Sequence, residues 1–403
     1  MKNSIKMGVI GLGARGTMIL KDVLLPMEDV EVIAVCDVYE DRINDAIAMT
    51  KEHNHNLPLG FADYRELLKI QDLEAVYIAT SWQTHFEIAA AALEAGVPVA
   101  CDVGGAFSLN EIWKLVRTYE NTKTPCMFME NCCYGRDEMM LMNMRKKGVF
   151  GEIVHCAGGY HHDLRNEVSF GRENRHYRLD NYLHRNCENY PTHEIGPIAR
   201  LLDINRGNAM VSLTSTSSKS AGLHQYILEH KAEDQALRNA YFAQGDVVTT
   251  VIRCANGETI TITLDTTLPG AYSRGLIVKG TKAMFMEDNR SLFIDGVHTE
   301  FEWKWHEQYQ NIEQYRKEYE HPLWNSFLND GVKGGHGGMD WLVFQDFIDA
   351  LKNKKSMPID VYDMASWSVI SLLSEQSIAL GSQPVAFPDF TDGKWITRKP
   401  VDR

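Results

Sequence analysis

The stretch "KMGVIGLGARGTMILKDVLLPM", residues 6–27, passes from an apolar strand through a glycine turn into a helical pattern with nothing in between. Within it, Gly11-Leu12-Gly13-Ala14-Arg15-Gly16 fits G-x-G-x-x-G. After a strand and before a helix, such glycines permit a tight turn and let the backbone approach a pyrophosphate, whose charge rests on the helix N-terminus. Alone, the pattern is weak. The next strand, "VEVIAVCD", ends in Asp37, about 20 residues past the turn, where a carboxylate can bond the ribose hydroxyls. That carboxylate would repel a 2′-phosphate, so the expected cofactor is NAD rather than NADP. The bland alternative is a glycine turn needed only for helix–sheet packing.

Outward from this turn, strand-like and helix-like segments alternate. "YEDRINDAIAMTKEH" is helical, "AVYIAT" a short buried run, "HFEIAAAALEAG" a helix closed by glycine, and "VPVACD" the next strand. That alternation argues for a parallel sheet built from βαβ units, a Rossmann-type dinucleotide-binding domain over residues 1–127. The texture then changes. "VVTTVIRCANGETITITLD" alternates with period two around Asn256-Gly257, a strong hairpin signal. Residues 128–403 are therefore expected to form an α+β domain with an open, mostly antiparallel sheet for substrate binding and dimerisation. Its last segments, "MDWLVFQDFIDALKNKK" and "VYDMASWSVISLLSEQSIALG", have helical spacing; they pack on the second sheet or return to the first domain.

Composition narrows the classes. The chain has 403 residues, with 44% apolar and 24% charged content, as in globular domains. A formal charge of −13 disfavours nucleic acid or an anionic membrane as partner. The N-terminus has no apolar leader segment, no run is long enough to span a bilayer, and eight cysteines show no CxxC pair. These features read as reduced, buried thiols in a cytoplasmic protein.

Several polar segments exceed what loops require. In "ATSWQTH", Thr80, Ser81, Trp82 and His85 follow a strand's C-terminal end, where ligands sit in open parallel sheets, although Trp82 can instead be packing. "MENCCYGR" (129–136), "GGYHHDLR" (158–165) and "HYRLDNYLHRNCENYPTHEIGP" (176–197) concentrate Tyr, His and Arg. Tyr and Arg bond and stack on polyols, and His and Tyr move protons. His161-His162-Asp163 suggests a metal, but neighbours on a strand face opposite ways and no third ligand stands at zinc spacing, so no metal is expected. His176 and His184 read as solvated loop histidines, whereas His193, placed at a helix start, reads as functional. After "VPVAC" a simple sugar dehydrogenase would carry a lysine; here stands Asp102.

Together, the glycine turn with Asp37, the "ATSWQTH" strand end and the domain order resemble the glucose–fructose oxidoreductase/inositol dehydrogenase/MocA superfamily. Within it, "MENCCYGR", "GGYHHDLR", "NYPTHEIGP", "LPGAYSRG", "GGHGGMDWL" and "PVAFPDFTDGKW" resemble glycoside hydrolase family 109, over nearly the whole chain. The resemblance implies cofactor contacts at Gly11, Gly13, Arg15, Gly16, Asp37, Trp82, His85, Asp102, Val103 and Asn131. It implies sugar contacts at Glu130, Tyr160, Arg178, Tyr190, Pro191, Thr192, His193 and Tyr272, with His162 beside Tyr160. His336 matches the "GGHGGMD" motif without an assigned role. Asp102-Val103-Gly104-Gly105 replaces the family's more familiar Glu-Val-Pro-Ala, and the secretory leader of many members is missing.

The family's activity is that of NAD-retaining α-N-acetylgalactosaminidases. It implies transient oxidation at C3 of the sugar, elimination across C1–C2, water addition and re-reduction. Expected catalytic residues are Tyr160, His162, His193, Arg178 and Tyr190, acting on a small carbohydrate or glycoside in a homo-oligomer. The rivals are an NAD-dependent sugar or polyol dehydrogenase that consumes free NAD, and a non-catalytic sugar or NAD(H) sensor.

Overall fold

A computed structural model describes residues 4–54, 57–299 and 304–401. Two compact units emerge. The first runs to Tyr134 and takes back Asp330–Ala365; the second comprises Gly135–Asn329 and Ser366–Pro400. The single cut expected at 127/128 thus misses a returning segment of the chain, and the helix Met339–Lys352 within it supplies the reason. Its Leu342, Val343, Phe344 and Phe347 are all buried, and Phe344 meets Tyr77 edge-on at 5.1 Å between ring centroids. Burying each such side chain is worth roughly 1.5–3 kcal/mol, an upper estimate. Two acids on the same helix, Asp340 and Asp346, are buried as well, and Tyr134 donates to Asp346 at 2.8 Å.

In the first unit, β1 (Ile5–Ile10), β2 (Val30–Cys36), β3 (Leu59–Phe61), β4 (Ala75–Ile78), β5 (Val99–Cys101) and β6 (Cys126–Phe128) form one sheet in the order β3-β2-β1-β4-β5-β6. Every pairing is parallel. β4, β5 and β6 are buried throughout, as expected for strands covered on both faces. The crossovers are α1 (Ala14–Ile19, continuing as a π turn to Leu24), α2 (Glu40–Asn54), α3 (Trp82–Glu94) and α4 (Leu109–Thr122). α4 begins at Ser108, whose hydroxyl accepts from Glu111 N–H, and ends where Lys123 turns left-handed. The strand order reverses at β1/β4, which is where ligands bind in open parallel sheets.

The second unit is built on eight strands in the order β13-β12-β11-β7-β10-β9-β8-β14. These are β7 (Ile153–His161), β8 (Met210–Ser217), β9 (Val247–Cys254), β10 (Thr259–Asp265), β11 (Ile277–Gly280), β12 (Ala283–Met286), β13 (Ser291–Ile294) and β14 (Val385–Ala386). β7 and β10 run parallel at the centre, and the other pairings are antiparallel. The period-two pattern is realised in β9–β10: Val248, Thr250, Ile252, Ile260, Ile262 and Leu264 are buried, alternating with more exposed neighbours. The Asn256-Gly257 turn joins them, with Gly257 at φ +103°. Two helices carry polar residues of the long Tyr/His/Arg segment, α5 (Arg178–His184) and α6 (Thr192–Leu201). All eight cysteines are buried free thiols. Among the described residues no helix is long and apolar enough to cross a membrane.

Candidate active site

In the first unit the glycine turn is enforced by its own backbone. Gly11 sits at φ +97°, and a Cβ there would lie 2.5 Å from the Ala79 backbone. A Cβ on Gly16 would lie 1.9 Å from Gly11 O, so no larger residue fits without reshaping the turn. Gly13, the N-cap of α1, differs. A Cβ there would meet only Arg42 Nη1, at 3.7 Å, so the space beside the turn stays open. Asp37, at the end of β2, accepts from Leu12 N–H at 2.7 Å and from Tyr39 N–H at 3.0 Å. Its carboxylate is thereby tied to the turn, with the Arg42 guanidinium 3.8 Å away. The open cradle at Gly13 and the oriented acid beside it fit a dinucleotide's pyrophosphate and ribose.

At the ends of β4 and β5 the expected residues cluster. His85 is buried and bonds Thr80 O through Nε2 at 3.0 Å; burial lowers its pKa and keeps the ring neutral. Trp82 begins α3 and is buried beside Gly104, where a Cβ would come within 2.3 Å of the indole Cδ1. The first glycine of Gly104-Gly105 therefore has a steric reason: residue 104 must lack a side chain for Trp82 to lie there. Asp102 accepts from Arg15 Nε and from Tyr77 OH, each at 2.9 Å, and from Val103 N–H at 3.0 Å. Val103, next to Asp102, and Asn131, past the end of β6, are buried, and Glu130 is fully buried with Oε1 accepting from Cys132 N–H. Arg15 is not a loose cation. Its Nη1 and Nη2 grip both oxygens of Asp340 at 3.0 and 2.9 Å.

The second unit gathers the expected sugar residues. Tyr160 and His162 lie two residues apart at the end of β7 and share a face, as the strand period requires. The Tyr160 hydroxyl is 2.9 Å from His162 Nδ1. Ring centroids lie 4.7 Å from Tyr160 to Tyr190, 5.6 Å to His193 and 6.2 Å to Tyr272. His193 stands in the first turn of α6 rather than before it, after the N-cap Pro191 and the buried Thr192, and its Nε2 is 3.2 Å from Tyr190 OH. Arg178, at the start of α5, lies over the Tyr190 ring at 5.2 Å and reaches Glu167 with Nε at 3.2 Å. Tyr272 completes the group, 5.1 Å from the His162 ring, and is 53% exposed.

Burial sets the protonation of this cluster. It pushes the Tyr160 phenol up to about 12, against the Arg178 charge, and it lowers His162, which Arg178 lowers further. Tyr160 is thus a phenol and His162 a neutral imidazole near pH 7. Other members of the long polar segment separate from the site. His184 is 70% exposed beside Asp180, Tyr182 is buried with its hydroxyl on Thr266, and Arg185 pairs with Glu375. His176 stacks on Tyr177 at 4.6 Å.

Four acids and an arginine escaped sequence reasoning. Glu138 pairs with Arg274, which also reaches Glu287 at 3.3 Å; burial pushes the Glu138 carboxyl up to about 7 despite that partner. Glu138, Glu194 and Arg274 line a small cavity together with His193 and Gly158. Glu188 is fully buried two residues before Tyr190, and burial raises its carboxyl to about 8. A Glu on each side of the Tyr-Pro-Thr-His run, followed by apolar residues, is the only local signal that was available.

A dinucleotide-binding parallel sheet joined to a sheet unit that carries a Tyr/His/Arg cluster defines an enzyme of the nicotinamide-dependent oxidoreductase fold. A sequence model of the oxidoreductase family with an NAD-binding Rossmann fold matches residues 5–130, and one of the glycosyl hydrolase 109 C-terminal domain matches residues 134–397. The chain belongs to glycosyl hydrolase family 109. A family 109 protein of Stenotrophomonas maltophilia is 39% identical over 98% of this chain and 91% of its own length. An α-N-acetylgalactosaminidase of Tannerella forsythia is 37% identical over 98% of this chain and 88% of its own. Among solved structures, levoglucosan dehydrogenase in complex with NADH and levoglucosan superposes with a TM-score of 0.70 at 18% identity, covering 96% of this chain and all of that one. The myo-inositol dehydrogenase of Lactobacillus casei, in complex with NAD(H) and myo-inositol, superposes at 0.64 with 16% identity, covering 96% and 99%. At these identities the structural likeness speaks for the fold.

Proposed function

We propose that the chain is an NAD-dependent glycosidase that cleaves α-N-acetylgalactosaminide-like glycosides by transient oxidation at C3, with no net redox change. The observation that carries this reading is the Tyr160–His162 pair, packed with Tyr190, His193 and Tyr272 in one aromatic cluster. Bound NAD would supply a hydride acceptor and return the hydride within each turnover. NAD is favoured over NADP by the charge of Asp37 beside the glycine turn, which would repel a 2′-phosphate.

The chain's own residues handle protons and position the sugar. The Tyr190–His193 pair takes the C3 hydroxyl proton as the ketone forms. That ketone acidifies the C2 proton. A phenol with a pKa near 12 is a poor base alone, so Tyr160 accepts the C2 proton while passing its own to His162 Nδ1. Loss of the C2 proton expels the group at C1, and water then adds at C1 as the proton returns to C2. Arg178, held by Glu167, bonds ring hydroxyls, and Tyr190 and Tyr272 line the sugar pocket. No pair of carboxylates flanking the glycosidic bond is needed.

The test is a panel of aryl α- and β-glycosides, including N-acetylhexosaminides, assayed with and without added NAD. Aryl release without added NAD and without net absorbance at 340 nm supports the glycosidase. Stoichiometric NADH accumulation, dependent on added NAD, would establish a dehydrogenase instead.

A further inference from the structure

We propose that Asp340, on the returning helix Met339–Lys352, is a positioning residue of the dinucleotide site that sets Arg15 and Asn131 and slows release of the cofactor. The inference rests on the first unit being a dinucleotide-binding domain and on Arg15 and Asn131 facing that ligand. Asp340 is fully buried, yet its two oxygens receive donors from three places. Arg15 contributes Nη1 and Nη2 at 3.0 and 2.9 Å, Asn131 contributes Nδ2 at 2.8 Å, and His336 Nδ1 is 2.7 Å away. One carboxylate, more than 200 residues from Asn131 in sequence, thus organises the glycine turn and the end of β6 together.

Two consequences follow from donor and acceptor chemistry. A carboxylate only accepts, so Asn131 must turn its NH₂ to Asp340 and its carbonyl oxygen the other way. Asn131 Oδ1 takes the Cys132 thiol at 3.6 Å and keeps a second lone pair, an acceptor suited to a hydroxyl or amide donor of a bound dinucleotide. Arg15 is held from both sides, by Asp340 through its terminal nitrogens and by Asp102 through Nε at 2.9 Å. Its rotamer is fixed over the turn, with two N–H groups left for a ligand oxygen. Burial opposes ionisation of Asp340, but the His336 bond and the Arg15 charge outweigh it and hold the carboxyl well below its ordinary range.

The position of His336 adds a constraint. It lies at φ +49° in a run where Gly334, Gly337 and Gly338 are also left-handed. This glycine-rich turn brings His336 Nδ1 onto Asp340 four residues later, while the imidazole is half exposed. The "GGHGGMD" motif is thereby a device for presenting a buried, charged Asp340 to the first unit's ligand residues.

The experiment measures NADH dissociation by stopped-flow fluorescence, and dinucleotide retained through gel filtration, on the full chain. Asp340→Asn is expected to release NADH at least tenfold faster, because its amide loses the charge and one acceptor oxygen and cannot hold Arg15 and Asn131 together. Asp340→Glu keeps the charge that the three donors face but shifts the carboxylate by one methylene; release at least threefold faster is expected. Wild-type release rates in a folded Asp340→Asn protein, or in Asp340→Glu should the first variant fail to fold, overturn the proposal. A wild-type chain that binds no dinucleotide overturns the cofactor reading and this inference with it, a result distinct from equal binding by all three proteins.

Discussion

Replacing Tyr160 by Phe isolates one O–H group. The ring contacts to Tyr190, His193 and Tyr272, at 4.7 to 6.2 Å between centroids, survive the change. What disappears is the hydroxyl 2.9 Å from His162 Nδ1. Losing one such bond costs about 1 kcal/mol of stability, and half-exposed His162 can turn to water, so Tm should fall by only a few degrees. The effect on turnover is of another order. Removing a positioned general base costs about 10²–10⁴ in rate, or roughly 3–5 kcal/mol of barrier. The assay is kcat on an aryl α-N-acetylgalactosaminide, run beside single-turnover absorbance at 340 nm. In the proposed mechanism the C3 hydroxyl proton goes to the Tyr190–His193 pair, so oxidation should persist in the variant while elimination stalls. Tyr160→Phe should therefore accumulate a 340 nm signal that the wild-type enzyme does not show. A kcat within threefold of wild type, or loss of turnover with no 340 nm signal, would refute the assignment.

Other predictions follow from the same geometry. Gly104→Ala places a methyl 2.3 Å from Trp82 Cδ1, so it should destabilise by about 1–3 kcal/mol, read as a lowered Tm, and pairing it with Trp82→Leu should recover most of the loss. His162 is lowered from 6.5 by burial, then Arg178 and His193, against the opposing charges of Glu167 and Asp163. It is a neutral acceptor above its pKa and loses Nδ1 on protonation, so kcat/KM should fall on the acid side below pH 6.5. His162→Asn should remove that limb. Asp37→Ser should shift the ratio of NADPH to NADH affinity by at least tenfold toward the phosphorylated cofactor, since Arg42, 3.8 Å from the lost carboxylate, remains; direct titration of both cofactors reads it.

What was legible in the sequence was local. The turn from Gly11 to Gly16, Asp37 at the next strand end and the Asn256-Gly257 hairpin each rest on neighbours within a few residues or one βαβ unit. So do Tyr160 with His162 on one strand face, and Tyr190 with His193 across a helix start. What stayed hidden depends on the chain returning. Arg15 reads as a ligand residue in the motif, but its charge is spoken for by Asp102 and Asp340, and nothing local announces a partner 325 positions away. The same holds for Glu138 with Arg274 and for the helix that rejoins the first unit. The Gly104 substitution was visible as a departure, but its cause, the indole of Trp82, needed coordinates. Conversely, Tyr182, His184 and Arg185 belonged to the dense polar segment by sequence and fall away once α5 orients them.

The most direct measurement is hydrolysis of an aryl α-N-acetylgalactosaminide in D₂O with no NAD added, followed by analysis of the released sugar. Aryl release with deuterium incorporated at C2 of the product and no NADH left in solution is the expected result. Release with the C2 proton fully retained would contradict it.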